Sequence, residues 1–187
     1  MATAIKAPAQ NRIPTGSWSV DRIHSSVGFE VKHMVVSTFR GNFREFDALL
    51  EASEGASRLV GTARPESVDV RDENLAAHLA SEEFFDAERH PEIRFESGAI
   101  RAGDDGDVVA EGELTVKGRT KVVEAHGQLI HIAEDISGGE RIGLSLEAIV
   151  DRREFGLEWN APLPKGGFAL GNDVKLVVSL ELVPKEV

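Results

Sequence analysis

The chain has no cysteine and no tyrosine, and it is poor in positive charge. Without cysteine it can form no disulfide, no catalytic thiolate and no cysteine-rich zinc site. Its formal net charge of -11 disfavours a nucleic-acid surface, because phosphate binding requires a basic stripe. A local basic pocket for one anionic group is still compatible with that charge.

Long apolar runs are also missing. No stretch approaches the length of a membrane-spanning helix, so we expect no stable insertion into a membrane. Residues 1–10 contain Lys6 as their only charged side chain and lack the apolar core of a signal peptide. We therefore expect a cytoplasmic protein with a flexible N-terminal arm, residues 1–14, followed by a single domain, residues 15–187.

The dominant pattern in the chain is alternation of apolar and polar residues, which is typical of strands with one dry and one wet face. It predicts about eight strands, at residues 25–33, 41–51, 58–70, 92–99, 110–117, 122–132, 142–150 and 174–182. One segment departs from it: Asp72 is a good N-cap, and helical spacing follows over residues 73–80. Short turns between antiparallel strands indicate a closed barrel or a sandwich.

The interior would be unusually poor in hydrogen-bonding groups, because the aromatic residues are nine phenylalanines and two tryptophans, with no tyrosine. A barrel of about eight strands either fills its interior with side chains or holds one ligand. A ligand in such an interior would be a long apolar molecule held mainly by burial. The periodicity is equally consistent with an ordinary packed core.

Catalytic and metal-binding patterns are weak. The six histidines show no His-x-x-x-His spacing, and His24 and Ser25 are sequence neighbours that face opposite ways on a strand. Nucleophile-elbow and phosphate-loop motifs are absent from the sequence. Structural roles are favoured for the histidines, and we expect no enzyme activity, no catalytic residue, no metal and no cofactor.

Several arginines lie next to predicted turns. Arg40 precedes Gly41, Arg71 precedes the helix, and Arg152 and Arg153 precede Phe155. A cluster of them at one rim could bind an anionic or polar head group through charge-assisted hydrogen bonds. For any single arginine, an ion pair with one of the many carboxylates is the favoured alternative.

Four ordered motifs spread over nearly the whole chain resemble one known family. They are Trp18-x-x-Asp21-x-x-His24-Ser25 with Phe29, His33 and Gly41-x-Phe43; Arg71-x-x-x-Leu75-x-x-His78-Leu79-x-Ser81-x-x-Phe84-Phe85-Asp86 with His90-Pro91-x-Ile93-x-Phe95-x-Ser97; Gly112-x-Leu114-Thr115-x-Lys117-Gly118-x-Thr120-x-x-Val123; and Arg153-x-Phe155-Gly156 with a closing strand at Val174.

The family is that of the YceI-like, polyisoprenoid-binding proteins. The resemblance implies an all-β fold, a lipocalin-like antiparallel barrel of about eight strands with the short helix inserted between strands 4 and 5. It further implies an apolar channel that binds polyprenyl phosphates, isoprenoid quinones or fatty-acid-derived amphiphiles. The helix would lie near the ligand, and a homodimer is expected.

With the resemblance, the sequence predicts a non-enzymatic carrier or store for a long-chain isoprenoid lipid, either a polyprenyl phosphate or pyrophosphate or an isoprenoid quinone. The predicted tail contacts are Phe29, Val31, Phe43, Leu79, Phe85, Phe95, Leu114, Leu144 and Leu146. The predicted head-group contacts are His33, Arg40, Arg71, His78 and Arg153. Two alternatives stay open: an enzyme that uses His24, His33 or His78 as a general base on an apolar substrate, and an interaction module with a filled core.

Overall fold

The computed structural model describes residues 13–103 and 105–185. Within them the chain forms eleven strands, one α-helix and two 3-10 helices. In chain order they are β1 (Gly16–Val20), β2 (Ser26–His33), β3 (Ser37–Phe43), β4 (Phe46–Ser53), β5 (Ala56–Ala63), a 3-10 helix (Pro65–Ser67), β6 (Val68–Asp69), α1 (Glu73–Ala80), β7 (Ile93–Ala102), β8 (Asp107–Val116), β9 (Arg119–Ile132), β10 (Arg141–Asp151), a 3-10 helix (Arg152–Phe155) and β11 (Leu170–Pro184).

Eight of these strands close a ring in the order β1-β4-β5-β7-β8-β9-β10-β11, with β11 returning to β1. The long strand β11 makes the closure. Its C-terminal end pairs with β1, where Trp18 lies opposite Pro184, and its earlier part pairs with β2, where Phe29 lies opposite Leu176. Every pairing is antiparallel, so the predicted antiparallel barrel is confirmed.

The strands β1 and β2 follow one another along the same edge of β11, and β3 and β4 follow one another beside them. Counted as two bent strands, they are followed by β5 and by the two-residue β6, which pairs with β3 and is not part of the ring of eight. The helix α1 then lies between β6 and β7. The helix begins where the sequence indicates, because the Asp72 carboxylate accepts a hydrogen bond from the Leu75 N–H. Its buried residue, Leu79, faces the barrel.

One end of the barrel is filled by large aliphatic side chains. This plug consists of fully or almost fully buried residues that point inward from β4, β8, β9, β10 and β11: Leu50, Val108, Leu129, Ile142, Leu144 and Leu182. Each such side chain stabilises the fold by about 1.5–3 kcal/mol. Above the plug, the backbones of β9 and β10 approach so closely at Gly127, opposite Leu146, that a Cβ there would overlap the Ser145 carbonyl oxygen.

The predicted N-terminal arm lies outside the described residues except for Ile13 and Pro14. Ile13 packs against the plug, and the Pro14 carbonyl accepts a hydrogen bond from the indole N–H of Trp18. These two residues therefore belong to the plugged end of the barrel.

Candidate functional site

The other half of the barrel is hollow. It encloses a cavity of about 620 Å³, in the range of about 300–1,000 Å³ usual for small-molecule sites. The hollow exists because inward positions on β4, β5, β9 and β10 are occupied by small residues where the plug has leucine or isoleucine. These residues are Ala48, Gly61, Ala63, Ala125 and Ala148. A barrel interior filled solid by side chains is therefore not what this chain forms.

One wall of the cavity is aromatic. The ring centroid of Phe29 lies 5.8 Å from that of Phe43, 6.1 Å from that of Phe85 and 6.3 Å from that of Phe39. Gly41 lies opposite Phe29 in the β2–β3 ladder, and a Cβ there would come within 2.5 Å of the Phe29 ring. The glycine of the Gly41-x-Phe43 motif thus makes room for this wall.

The cavity opens at the end away from the plug. Among its lining residues, Ser37 is exposed, while His33, His78 and Trp159 are half-buried. The His78 ring lies 4.9 Å from the Trp159 ring, edge to face, and its Nε2 is 2.6 Å from the Glu83 carboxylate. His78 is therefore held by an acid and an aromatic ring at the rim.

A buried cation, Arg152, lies on the cavity wall near this opening. Its side chain is 5% exposed, and its guanidinium donates hydrogen bonds to the backbone carbonyls of Gly171, Leu157 and Trp159. Burial lowers the pKa of Arg152, yet a guanidinium stays protonated at neutral pH. Because none of these bonds goes to a carboxylate, the positive charge is not neutralised by its hydrogen-bond partners.

Comparison with known proteins assigns the barrel to a family. The YceI-like domain matches residues 18–182, nearly the whole chain. The chain belongs to the YceI-like family. A UPF0312 protein from Staphylococcus aureus is 31% identical over 169 residues, which cover 88% of this chain and 96% of the relative.

Two solved structures share the YceI-like fold. BcnA from Burkholderia cenocepacia superimposes with a TM-score of 0.73 at 22% identity, over 87% of this chain and 98% of that one. A polyisoprenoid binding domain from Saccharophagus degradans, implicated in plant cell wall breakdown, gives a TM-score of 0.66 at 12% identity, over 90% and 98% of the two chains. At these identities the likeness concerns the fold.

Eight of the nine predicted tail residues line the cavity of this YceI-like barrel: Phe29, Val31, Phe43, Leu79, Phe85, Phe95, Leu114 and Leu146. Leu144 does not. It points inward as predicted, but it is 1% exposed and packs within the plug, below the floor of the cavity. Alternation along β10 gives the face of a residue and not its depth in the barrel.

The predicted head-group residues divide into two groups. His33 and His78 line the cavity near its opening. Arg40, Arg71 and Arg153 do not: all three are exposed, and Arg40 pairs with Glu30 across the β2–β3 ladder. Arg153 binds the Asp151 carboxylate and thereby lowers the pKa of that carboxyl to about 2. Ion pairing with nearby carboxylates, the alternative considered for single arginines, applies to Arg40 and Arg153.

Two polar or aromatic site residues are not among the ligand contacts predicted from the sequence: Arg152, which is included there only among the arginines near turns, and Trp159. For Arg152 a signal exists, since the inward residues of β10 are the even ones, from Ile142 to Val150, and Arg152 continues that parity. Arg153 has the outward parity. For Trp159 no comparable signal exists, because it lies in an irregular segment after the second 3-10 helix.

His24 lies at the plugged end and does not line the cavity, so it is not placed to act as a base on a molecule bound there. Asp21, His24 and Glu181 have ligand atoms within 4.8 Å of one another, but Arg141 already donates to both carboxylates. The hydrogen bond to Asp21 raises the pKa of His24. This cluster is an ion-pair network that joins β10, β11 and the β1–β2 connection.

Within the described parts of the chain, no helix has both the length and the hydropathy required to cross a bilayer.

Proposed function

We propose that this YceI-like chain binds one long-chain isoprenoid lipid in its cavity and carries or stores it without chemical change. The observation that supports this most directly is a continuous apolar cavity with one buried cation at its open end. The apolar wall fits a hydrocarbon tail, and the cation fits an anionic head group.

The dimensions favour an extended chain. Lining residues of β11 run from Leu170 to Leu180, and a bulge between Leu170 and Val174 takes up two of them, so the span is about eight strand residues, or about 26 Å at about 3.3 Å per residue. At the usual tilt of barrel strands this corresponds to a depth of roughly 20 Å. A volume of about 620 Å³ over that depth describes a long, narrow channel, which suits an extended hydrocarbon chain.

A channel of this depth accommodates a long extended hydrocarbon chain, and a polyprenyl chain is one that would fill it. The polyisoprenoid binding domain from Saccharophagus degradans has the same fold, which supports the proposal by analogy.

A phosphate or pyrophosphate is the head group that Arg152 favours, because a guanidinium binds phosphate oxygens with charge-assisted hydrogen bonds. An isoprenoid quinone is the second candidate, since its carbonyl oxygens could accept from Arg152 or His33. The phosphate is charged and the quinone is not, so loss of the Arg152 charge should weaken the binding of the phosphate more than that of the quinone.

His78, one of the two histidines on the wall, is hydrogen-bonded to Glu83 and packed edge to face against Phe84 and Trp159, which fits a structural role at the opening. Carriage without chemical change is part of the proposal. The cytoplasmic location and the homodimer stay predictions.

Native mass spectrometry of freshly purified protein, followed by lipid extraction, tests the proposal. We expect the protein to carry one bound lipid of isoprenoid mass per chain. A protein that arrives empty and also takes up neither added polyprenyl phosphate nor added quinone would contradict it.

A further inference from the structure

The rim of the cavity opening exposes large apolar side chains to solvent. Val35 and Val36, at the tip of the β2–β3 hairpin, are 84% and 87% exposed, and Phe168, in the loop before β11, is 60% exposed. The two loops are joined, because the Met34 N–H donates to the Ala169 carbonyl at 2.7 Å. We call residues 34–36 and Phe168 the docking rim.

At the hairpin tip the backbone adopts a conformation that is unfavourable for the residues found there. Met34 and Val35 have φ angles of +48° and +67°, in the left-handed region. Asparagine and glycine adopt this region readily, and a β-branched residue such as valine is an outlier there. Strain of this kind, at a position without packing to compensate it, points to a functional requirement.

The two segments that carry the docking rim differ in charge from the protein as a whole. The chain has 32 acidic residues and a net charge of -11. Yet residues 31–39 and 160–172, which contain the rim, have no acidic residue and include Lys32, His33 and Lys165. An apolar tip with basic neighbours is the combination that binds an anionic lipid surface.

The docking rim is continuous with the cavity. His33 and Ser37, which flank the hairpin tip, line the cavity, and so do Ala169 and Leu170, which follow Phe168. His33 also lies opposite Leu170 in the β2–β11 ladder. A surface that covered the rim would therefore face the cavity opening.

We propose that the docking rim inserts into the interface of an anionic phospholipid bilayer, so that the bound lipid passes between cavity and membrane without crossing water. This rests on the proposed function, since it requires a lipid cargo. Each methylene exposed to water slows release by a factor of about four, and ten exposed together slow it about a million-fold. Direct contact with a bilayer removes that penalty.

Vesicle flotation with phosphatidylcholine, with and without phosphatidylglycerol, tests the surface. We expect binding that increases with phosphatidylglycerol and falls with salt. The double variant Val36→Asn/Phe168→Asn should bind roughly tenfold or more weakly, because two apolar anchors are lost. Ile23→Asn is the matched control, since Ile23 is also 87% exposed but precedes β2, at the opposite end of that strand.

Val35→Asn separates docking from folding. Asparagine tolerates the left-handed backbone, so we expect an unchanged or higher Tm together with weaker vesicle binding. Native mass spectrometry of the double variant should still show bound lipid, because the cavity is untouched. Loss of the lipid in the wild type would instead count against the proposed function.

The proposal is overturned if the wild type does not float with anionic vesicles, or if the double variant floats as well as Ile23→Asn. It is also overturned if the rim binds a second copy of the chain. In that case the wild type would sediment as a dimer, the double variant as a monomer, and vesicles would not compete with dimer formation.

Discussion

Replacing Ala148 by phenylalanine should block the channel. Ala148 lines the cavity, is 9% exposed and lies opposite Leu176 on β11. The introduced ring has six carbons beyond the existing Cβ, and we expect it to occupy the space of about six tail carbons. At about 0.8 kcal/mol per methylene, the loss of binding free energy is about 5 kcal/mol, or three to four decades in Kd.

The same substitution should not lower stability. Burial of the ring in existing empty space contributes about 1.5–3 kcal/mol, and any overpacking costs about 1–3 kcal/mol. Since these contributions are similar in size, we expect a Tm close to that of the lipid-free wild type while lipid binding is lost. This combination distinguishes a blocked channel from a misfolded barrel.

A titration with a detergent-dispersed polyprenyl phosphate, followed by the fluorescence of Trp159 at the opening, measures the Kd. Ile149→Phe is the control, since Ile149 is the next residue along β10 but is 72% exposed on the outer face. Wild-type affinity in Ala148→Phe, or an equal loss in Ile149→Phe, would refute the assignment of the cavity as the lipid site.

Three further predictions concern other parts of the barrel. Arg152→Met should weaken the binding of a polyprenyl phosphate by roughly 10–100-fold more than that of the uncharged polyprenol, because charge-assisted hydrogen bonds contribute ~1.5–3 kcal/mol. The control Arg153→Met should leave the ratio of the two affinities unchanged. Leu146→Glu should abolish lipid uptake or prevent folding, since it places a carboxylate on the apolar wall; normal uptake would show that the residue faces outward. Arg141→Met should lower the Tm at neutral pH but not near pH 2. The hydrogen bond from Arg141 lowers the pKa of Asp135 from 3.8 to about 2, so the stabilisation it provides is present above pH 3.8 and is lost as the pH falls through 2. Parallel curves of Tm against pH for the two proteins would contradict this.

The sequence predicts which side chains point into the barrel, but it does not predict how deep along the barrel axis each of them lies. Alternation places Leu144, Leu146 and Ala148 on the same inward face of β10, which the structure confirms. Whether a residue plugs the barrel or lines the cavity depends on what the other strands place at the same level. That is set by strand register, as in the pairing of Leu146 with Gly127 and Val178, which connects residues distant in sequence.

The residues that the site prediction overlooked or misplaced have a related explanation. The prediction selected large apolar residues as the wall, but the space itself comes from small ones such as Ala63 and Ala125, which look unremarkable in a strand pattern. It also selected arginines by proximity to turns, although exposed Arg40 and Arg153 each have a carboxylate partner on the same surface. Parity, applied beyond the end of β10, would have selected Arg152.

The division of the barrel into a plug and a cavity suits a protein that must stay folded both with and without cargo. Alanine in place of leucine at a buried position forgoes about 2–5 kcal/mol of stability, so small residues at several levels could not be tolerated throughout a domain of this size. Confining them to one half leaves the plug and its closure between β1 and β11 independent of the ligand. Bound lipid then adds stability through burial in the hollow half, and its release returns the chain to a folded, empty barrel rather than to an unfolded one.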